Sequence, residues 1–171
     1  MMPLERFTER FEREFEVGKY YTLEPVKERS RESHNLYFAC VNFAWLNLPH
    51  PLSDRFTGPD GDDDFRKWCL IKRGWCYRKI EVFETEDDAK KTHAVILALP
   101  TFVVVVQEGT MLTIMVARTQ RLLKNDPEGM DKKDFEASKR DVIEECCFWL
   151  KMTEKELVAA AKSQMVREKA A

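Results

Sequence analysis

The chain has 171 residues, of which 44% are hydrophobic and 34% are charged, and its formal net charge is −2. This length predicts a single domain over residues 1–171, with its core at about residues 20–150 and charged helical termini. The small negative charge argues against a polybasic nucleic-acid binder. No apolar run reaches the roughly 20 residues of a membrane span, and charges begin at Glu5, so we expect no membrane association and a cytoplasmic location.

The N-terminal third predicts a helix, a strand and a buried helix. Phenylalanines recur every four residues among Glu and Arg over residues 2–16, which is typical of a short amphipathic helix. Tyr20 to Val26 alternates like a strand. From about Arg31 the apolar residues occupy most of a helical circumference and leave only Asn35 and Asn42 with Arg31 as a polar stripe, which predicts a central, buried helix.

The middle of the chain predicts a loop at residues 47–61, a helix at 62–74, a strand at 75–84 and a helix from Thr85 to about Leu99. Two β-rich runs, 101–107 and 110–118, flank Glu108-Gly109 and predict a hairpin. Val103 to Val106 is continuously β-branched, so this strand is expected at the centre of the sheet.

Two helices follow a loop at residues 122–130. Asp131 is expected to cap the first, and Thr153 with Glu156 a short final helix that frays. The order of elements predicts an α+β fold, in which a mostly antiparallel sheet with a central hairpin is packed by a buried helix and a long C-terminal helix.

The residues that could support catalysis or metal binding have simpler explanations. Asp62, Asp63 and Asp64 stand in a first helical turn, where carboxylates stabilise the helix dipole. The three histidines share no ligand spacing, and the five cysteines form no CxxC pair, which indicates reduced core thiols. We therefore predict no catalytic residues, no metal site, no cofactor and no enzymatic activity.

Basic residues are concentrated in two acid-free runs, one in residues 66–79 and one after the hairpin. Aromatic residues are interleaved with the first run. Cations that contact phosphates beside rings that stack on bases are the ingredients of single-strand binding. An ordinary solvated face explains the same residues, and both interpretations stay open on these residues alone.

Two groups of motifs resemble a known family. The first contains Glu28–Arg31, Ser33–Asn35 and Tyr37–Ala39, and the second contains Arg118-Thr119, Met130, and Phe135 with a helix through Ile143. In this order they resemble the NinB-like (Orf-type) recombination-mediator proteins of lambdoid phages and related phage domains of unknown function. The resemblance covers about residues 20–150. It implies a phage or prophage protein, in the cytoplasm of its bacterial host, that binds single-stranded DNA and assists recombinase loading.

The first hypothesis is thus a non-enzymatic accessory protein that binds single-stranded DNA. The residues assigned to binding are Arg29, Arg31, His34, Asn35, Lys67, Lys72, Arg73, Trp75, Tyr77, Arg118, Arg121 and Lys124. The first four have the alternative role of satisfying loop carbonyls at the helix start. The second hypothesis is a protein-interaction module that binds a host or phage protein or inhibits a host-defence complex. It would use the acidic N-terminal and C-terminal helices, or mimic nucleic acid with the acidic segments 60–64 and 84–88. The sequence leaves a homo-oligomer open.

Overall fold

The computed structural model describes residues 31–99, 101–120 and 129–170. The predicted helix at 2–16 and strand at 20–26 lie outside these residues. The described elements are α1 (Arg31–Leu46), α2 (Gly61–Lys72), β1 (Cys76–Val82), α3 (Glu86–Leu97), β2 (Val104–Glu108), β3 (Met111–Ala117), α4 (Lys132–Leu150) and α5 (Glu154–Ala170). None of these helices is long and apolar enough to cross a bilayer.

The predicted α+β class is confirmed, because the described residues form five α-helices and one antiparallel sheet of three strands in the order β1-β3-β2. The buried helix is α1, which contacts α2, α4 and α5. Tyr37, Cys40, Val41 and Ala44 of α1 lie in the hydrophobic core. A helix apolar on most sides requires neighbours on most sides, and α1 has them.

The loop between α1 and α2 depends on Gly61. The Trp45 indole Nε1 donates a hydrogen bond of 2.8 Å to the carbonyl oxygen of Phe56. A Cβ atom on Gly61 would lie 2.8 Å from the same indole nitrogen and even closer to the Phe56 oxygen, so only glycine fits. This close packing fixes where α2 begins and thereby places its first turn beside α1.

The predicted helix caps form as expected. Thr85 Oγ1 accepts a hydrogen bond from the Asp88 amide, and Asp131 Oδ1 accepts one from the Asp134 amide. Thr153 and Glu156 form a reciprocal capping box at the start of α5.

The final helix was predicted to be short, and this is wrong. α5 extends over 17 residues and buries Leu157 and Ala161 in the core. The core therefore continues past the predicted limit at residue 150.

The strand predicted to be central lies at the edge of the sheet. β2 pairs only with β3 among the described strands, whereas β3 pairs with both neighbours. Val106 of β2 is 41% exposed, and Leu112 of β3 is 0% exposed. A β-branched run is compatible with an edge strand because β propensity measures the fit to a pleated surface rather than the position in the sheet. The hairpin turn is Gly109-Thr110, one residue later than predicted, and Gly109 has a positive φ of 59°.

This strand order predicts opposite outcomes for the same substitution at two positions. Leu112→Asp places an unpaired charge in the core, so we expect the free energy of unfolding to fall by several kcal/mol and little soluble protein to be obtained. Val106→Asp changes a partly exposed side chain and should give soluble protein with the circular-dichroism spectrum of the unchanged protein. Thermal unfolding followed by circular dichroism checks both, and equal sensitivity of the two positions would contradict the strand order.

Candidate functional site

A cleft of about 540 Å³ lies where α1, α2 and the end of β3 meet. Three residues that the sequence analysis assigned to binding converge there from separate elements, namely His34 from α1, Lys67 from α2, and Arg118 just after β3. The full lining is His34, Phe38, Asp63, Arg66, Lys67, Ala117, Arg118, Thr119 and Gln120.

The side chain of Gln120 holds this cleft together. Its Oε1 accepts hydrogen bonds from the Tyr37 hydroxyl at 3.1 Å and from Arg66 Nη1 at 2.7 Å. Its Nε2 donates to Ser138 Oγ at 2.7 Å, and that hydroxyl in turn donates to the Phe135 carbonyl at 2.9 Å. Burial raises the pKa of Tyr37, so the phenol stays protonated and remains a donor.

Asp63 joins the two cations that α2 contributes to the cleft. Its Oδ1 accepts from Arg66 Nε at 2.9 Å and Nη2 at 2.6 Å, and its Oδ2 lies 2.8 Å from Lys67 Nζ. Burial alone would raise the pKa of Asp63, but the bonds from Lys67 and Arg66 outweigh it and lower the pKa. The carboxylate is therefore ionised at neutral pH and orients both cations.

Arg118 is fixed on the opposite wall of the cleft. Its Nη1 donates to Asp134 Oδ2 at 2.9 Å and its Nη2 to the Gly129 carbonyl at 3.0 Å. Its guanidinium carbon lies 5.9 Å from the ring centroid of Tyr77. Because these contacts are charge-assisted and partly buried, Arg118 presents a fixed positive charge rather than a mobile one.

Aromatic rings line the part of the cleft near the start of α1. The His34 ring meets Phe38 edge-on at 4.8 Å and stacks on Phe135 at 6.4 Å between centroids. Phe38 is 39% exposed, and the Arg66 guanidinium carbon lies 5.9 Å from its ring centroid. The cleft thus combines cations with an accessible aromatic ring.

Lys72 and Arg73 are not part of this cleft, because both bind Glu145 of α4. Lys72 Nζ contacts Glu145 Oε1, and Arg73 Nε donates to Oε2 at 2.9 Å. Trp149 Nε1 also donates to Glu145 Oε1, at 2.8 Å, and Glu145 itself is only 3% exposed. The sequence analysis predicted that these two cations contact phosphate. In the structure both are already paired with the carboxylate of Glu145.

The remaining predicted residues are dispersed. Trp75 Nε1 donates to Asp141 Oδ2 at 2.7 Å, which ties the ring to α4. Tyr77 lies beneath the Arg118 guanidinium. Asn35 lines a different cleft, together with Asn42 and Gln164. Arg31 is the first residue of α1, and its side chain is not described. The last three residues that were assigned to binding lie outside the described part of the chain, namely Arg29, Arg121 and Lys124.

Sequence reasoning missed three residues of the cleft. Arg66 was counted only as a member of the basic run, and Phe38 only as part of the motif. Gln120 was assigned no role, although it bonds to residues 54 and 83 positions away. The only local feature of the sequence that indicated a contact in the cleft was the spacing of Asp63 and Arg66, which are i,i+3 neighbours on one helix face.

The cysteines have the character of core residues. All five lie in the described part of the chain, and none forms a disulfide. Burial raises the pKa of Cys40 to about 12 and also raises that of Cys69. Their thiols therefore stay protonated near neutral pH, which disfavours thiolate chemistry. The described residues also contain no group of three His, Cys, Asp or Glu side chains that could hold a metal ion.

No protein-family model matches this chain, and no curated protein or solved structure is detectably similar to it.

The Glu145 cluster generates a prediction about stability and pH. Burial alone would raise the pKa of Glu145, but the bonds from Lys72, Arg73 and Trp149 outweigh it and lower the pKa. Ionised Glu145 therefore contributes its full stabilisation above about pH 4.3, the pKa of a glutamate in the unfolded chain. This contribution is lost as the pH falls through the lower pKa that Glu145 has in the folded protein. Glu145→Gln should cost about 2 kcal/mol at neutral pH, because charge-assisted hydrogen bonds from two partly exposed cations are lost, and should flatten the decline in stability at acid pH.

Urea denaturation at pH values from about 3 to 7 measures both effects. Glu144→Gln is the matched control, since Glu144 is an exposed neighbour that contacts only Arg73, at 3.4 Å. Wild-type stability and acid response in the Glu145→Gln variant would contradict a structural role for this cluster.

Proposed function

We propose that this protein is a non-enzymatic accessory factor of phage origin that binds single-stranded DNA in the cleft between α1, α2 and β3. One observation carries the proposal. The two motif groups that resemble phage recombination mediators are far apart in the chain, yet His34 and Phe38 from the first and Arg118 and Thr119 from the second line the same cleft. Convergence of separate motifs on one concave surface is typical of a binding site.

The electrostatics of the cleft favour a phosphate-bearing ligand. Three cations line it, namely Arg66, Lys67 and Arg118. Each pairs with a carboxylate, Arg66 and Lys67 with Asp63 and Arg118 with Asp134. Arginine and lysine have more N–H donors than these carboxylates use, so donors remain for the oxygens of a further anionic ligand. Arginines held by neighbouring acceptors offer their remaining N–H groups in a fixed direction, which suits phosphate oxygens.

The aromatic contribution to binding is assigned to Phe38. Its ring is partly exposed at the cleft and is bordered by the Arg66 guanidinium. A base that stacks on such a ring gains about 1–3 kcal/mol, with little dependence on sequence. Phe38 therefore replaces Trp75 in the proposal, because the Trp75 indole is already bonded to Asp141.

The assignment of the cations changes as well. Lys67 and Arg118 are kept and Arg66 is added, whereas Lys72 and Arg73 are removed because they bind Glu145. Arg121 directly follows Gln120 in the sequence and Arg31 precedes His34 by three residues, and both stay in the proposal. Single strands suit this site better than a duplex, since stacking on Phe38 requires an unpaired base.

The proposal predicts that one lysine matters for DNA binding and a matched one does not. Lys67 pairs with Asp63, and Lys91 pairs with Asp87 in the same i,i+4 arrangement on α3, remote from the cleft lining. Lys67→Met should weaken binding of a labelled single-stranded oligonucleotide and reduce the slope of log K against log[salt] by about 0.7, because one fewer phosphate releases counterions. Lys91→Met should leave both quantities unchanged.

Fluorescence anisotropy of the oligonucleotide measures these effects, with a duplex of the same sequence as the comparison. Equal losses in the two variants would indicate general charge attraction rather than a site. If the unchanged protein fails to bind at about 50 mM salt, where weak phosphate contacts still register, the DNA proposal is wrong.

A protein partner is the second candidate, favoured by one observation. Ile80 and Val82 of β1 are large apolar side chains with exposed surfaces, and they lie on the same face of the sheet because they are two residues apart. Capture of a host protein from lysate that persists after nuclease treatment, together with absence of oligonucleotide binding, would support this candidate.

A further inference from the structure

The outer edge of β2 carries a second inference, independent of the cleft. Within the described residues β2 bonds only to β3, so its other side has no strand beside it. The hairpin turn has two residues, which makes Glu108 and Met111 a hydrogen-bonded pair. By alternation, the backbone N–H and C=O groups of Val105 and Gln107 point out of the sheet.

This edge lacks the features that normally prevent strands from associating. Exposed edges are usually protected by lysine, proline, a bulge or a short length. β2 contains neither lysine nor proline, and its sequence is Val-Val-Val-Gln-Glu. The opposite edge strand, β1, carries Arg78, Lys79 and Glu81. The two edges therefore differ, and only β2 is suited to pairing.

A groove of mixed polarity adjoins the segment that leads into β2. Leu97 and Leu99, at the end of α3, line this shallow groove of about 350 Å³ together with Asp64, Thr101, Phe102 and Val103. Leu97 is 59% exposed and Leu99 is 53% exposed. The groove therefore adjoins the start of β2, because Val103 directly precedes Val104.

We propose that β2 pairs with β2 of a second copy of this chain, antiparallel about a two-fold axis at Val106, to give a six-stranded sheet. In this register Val106 faces the partner's Val106, Val105 faces the partner's Gln107, and Val104 faces the partner's Glu108. Apolar side chains meet at the centre and no like charges are opposed, so the strand is complementary to itself.

A second copy fits this surface better than an unrelated extended peptide. The two-fold axis is perpendicular to the sheet, so equivalent faces of the two copies lie on the same side of the joined sheet. The two α3 helices therefore lie on the same face. His93 of α3 contacts Gln107 of β2 at 3.2 Å, which keeps α3 close to this edge. Five-residue strands alone bury less than the roughly 1,200 Å² of a stable interface, so the pair also requires contact between exposed side chains beside the strands, such as Leu97 and Leu99.

Charge exchange at Val106 tests the proposal. We expect sedimentation velocity to show a dimer for the unchanged protein without nucleic acid. Val106→Lys alone and Val106→Glu alone each place like charges opposite one another and should weaken dimerisation at least about tenfold. An equimolar mixture of the two variants should restore a dimer that contains one chain of each, identified by native mass spectrometry. Val106→Thr is the neutral control and should remain dimeric.

Circular dichroism separates loss of pairing from loss of fold, and both charged variants should retain wild-type spectra because Val106 is partly exposed. A monomeric unchanged protein, dimeric single variants or a mixture that stays monomeric would each overturn the proposal. Since no nucleic acid is present, any of these results would leave the DNA-binding proposal unaffected.

Discussion

The hydrogen bonds of one amide side chain determine the shape of the cleft. Gln120 follows β3 and bonds to Tyr37 of α1, Arg66 of α2 and Ser138 of α4, so three helices are positioned relative to the end of the sheet by a single residue. Both the oxygen and the nitrogen of the amide are used, and the amide is partly buried, so the loss of one partner would cost about 1 kcal/mol. This requirement couples the geometry of the cleft to the packing of the core, and it keeps Arg66 directed toward the cleft.

The cations of the chain fall into two groups according to the acid that they meet. Lys72 and Arg73 neutralise a nearly inaccessible carboxylate, Glu145, and so connect α2 to α4. Arg66 and Lys67 share the more accessible Asp63, and Lys67 retains capacity for a further acceptor since an ammonium has three N–H donors. The first group stabilises the fold, and the second group, with Arg118, is available to a ligand. A run of basic residues that is continuous in sequence is thus divided in space.

The local features of the fold were predictable from the sequence, and its long-range pairings were not. Caps such as Thr85 with Asp88 depend on residues three positions apart, so the sequence contains all the information needed. The position of β2 at an edge depends on which strand pairs with β1, which its valine-rich composition does not encode. The same limit applies to Glu145, whose partners lie more than 70 residues earlier, and to Gln120. The motifs around His34 and Arg118 did indicate residues of the cleft, but only the fold brings them together.

The central claim is that single-stranded DNA lies in the cleft with a base against Phe38. Ultraviolet crosslinking of a 5-iodouracil oligonucleotide, followed by mass spectrometry of the digested complex, tests it most directly because halogenated bases react with the aromatic ring that they stack on. We expect crosslinks at Phe38, and at His34 as the neighbouring ring that a base can reach. Crosslinks confined to Trp75, Trp149 or Phe148, which lie outside the cleft lining, would contradict it.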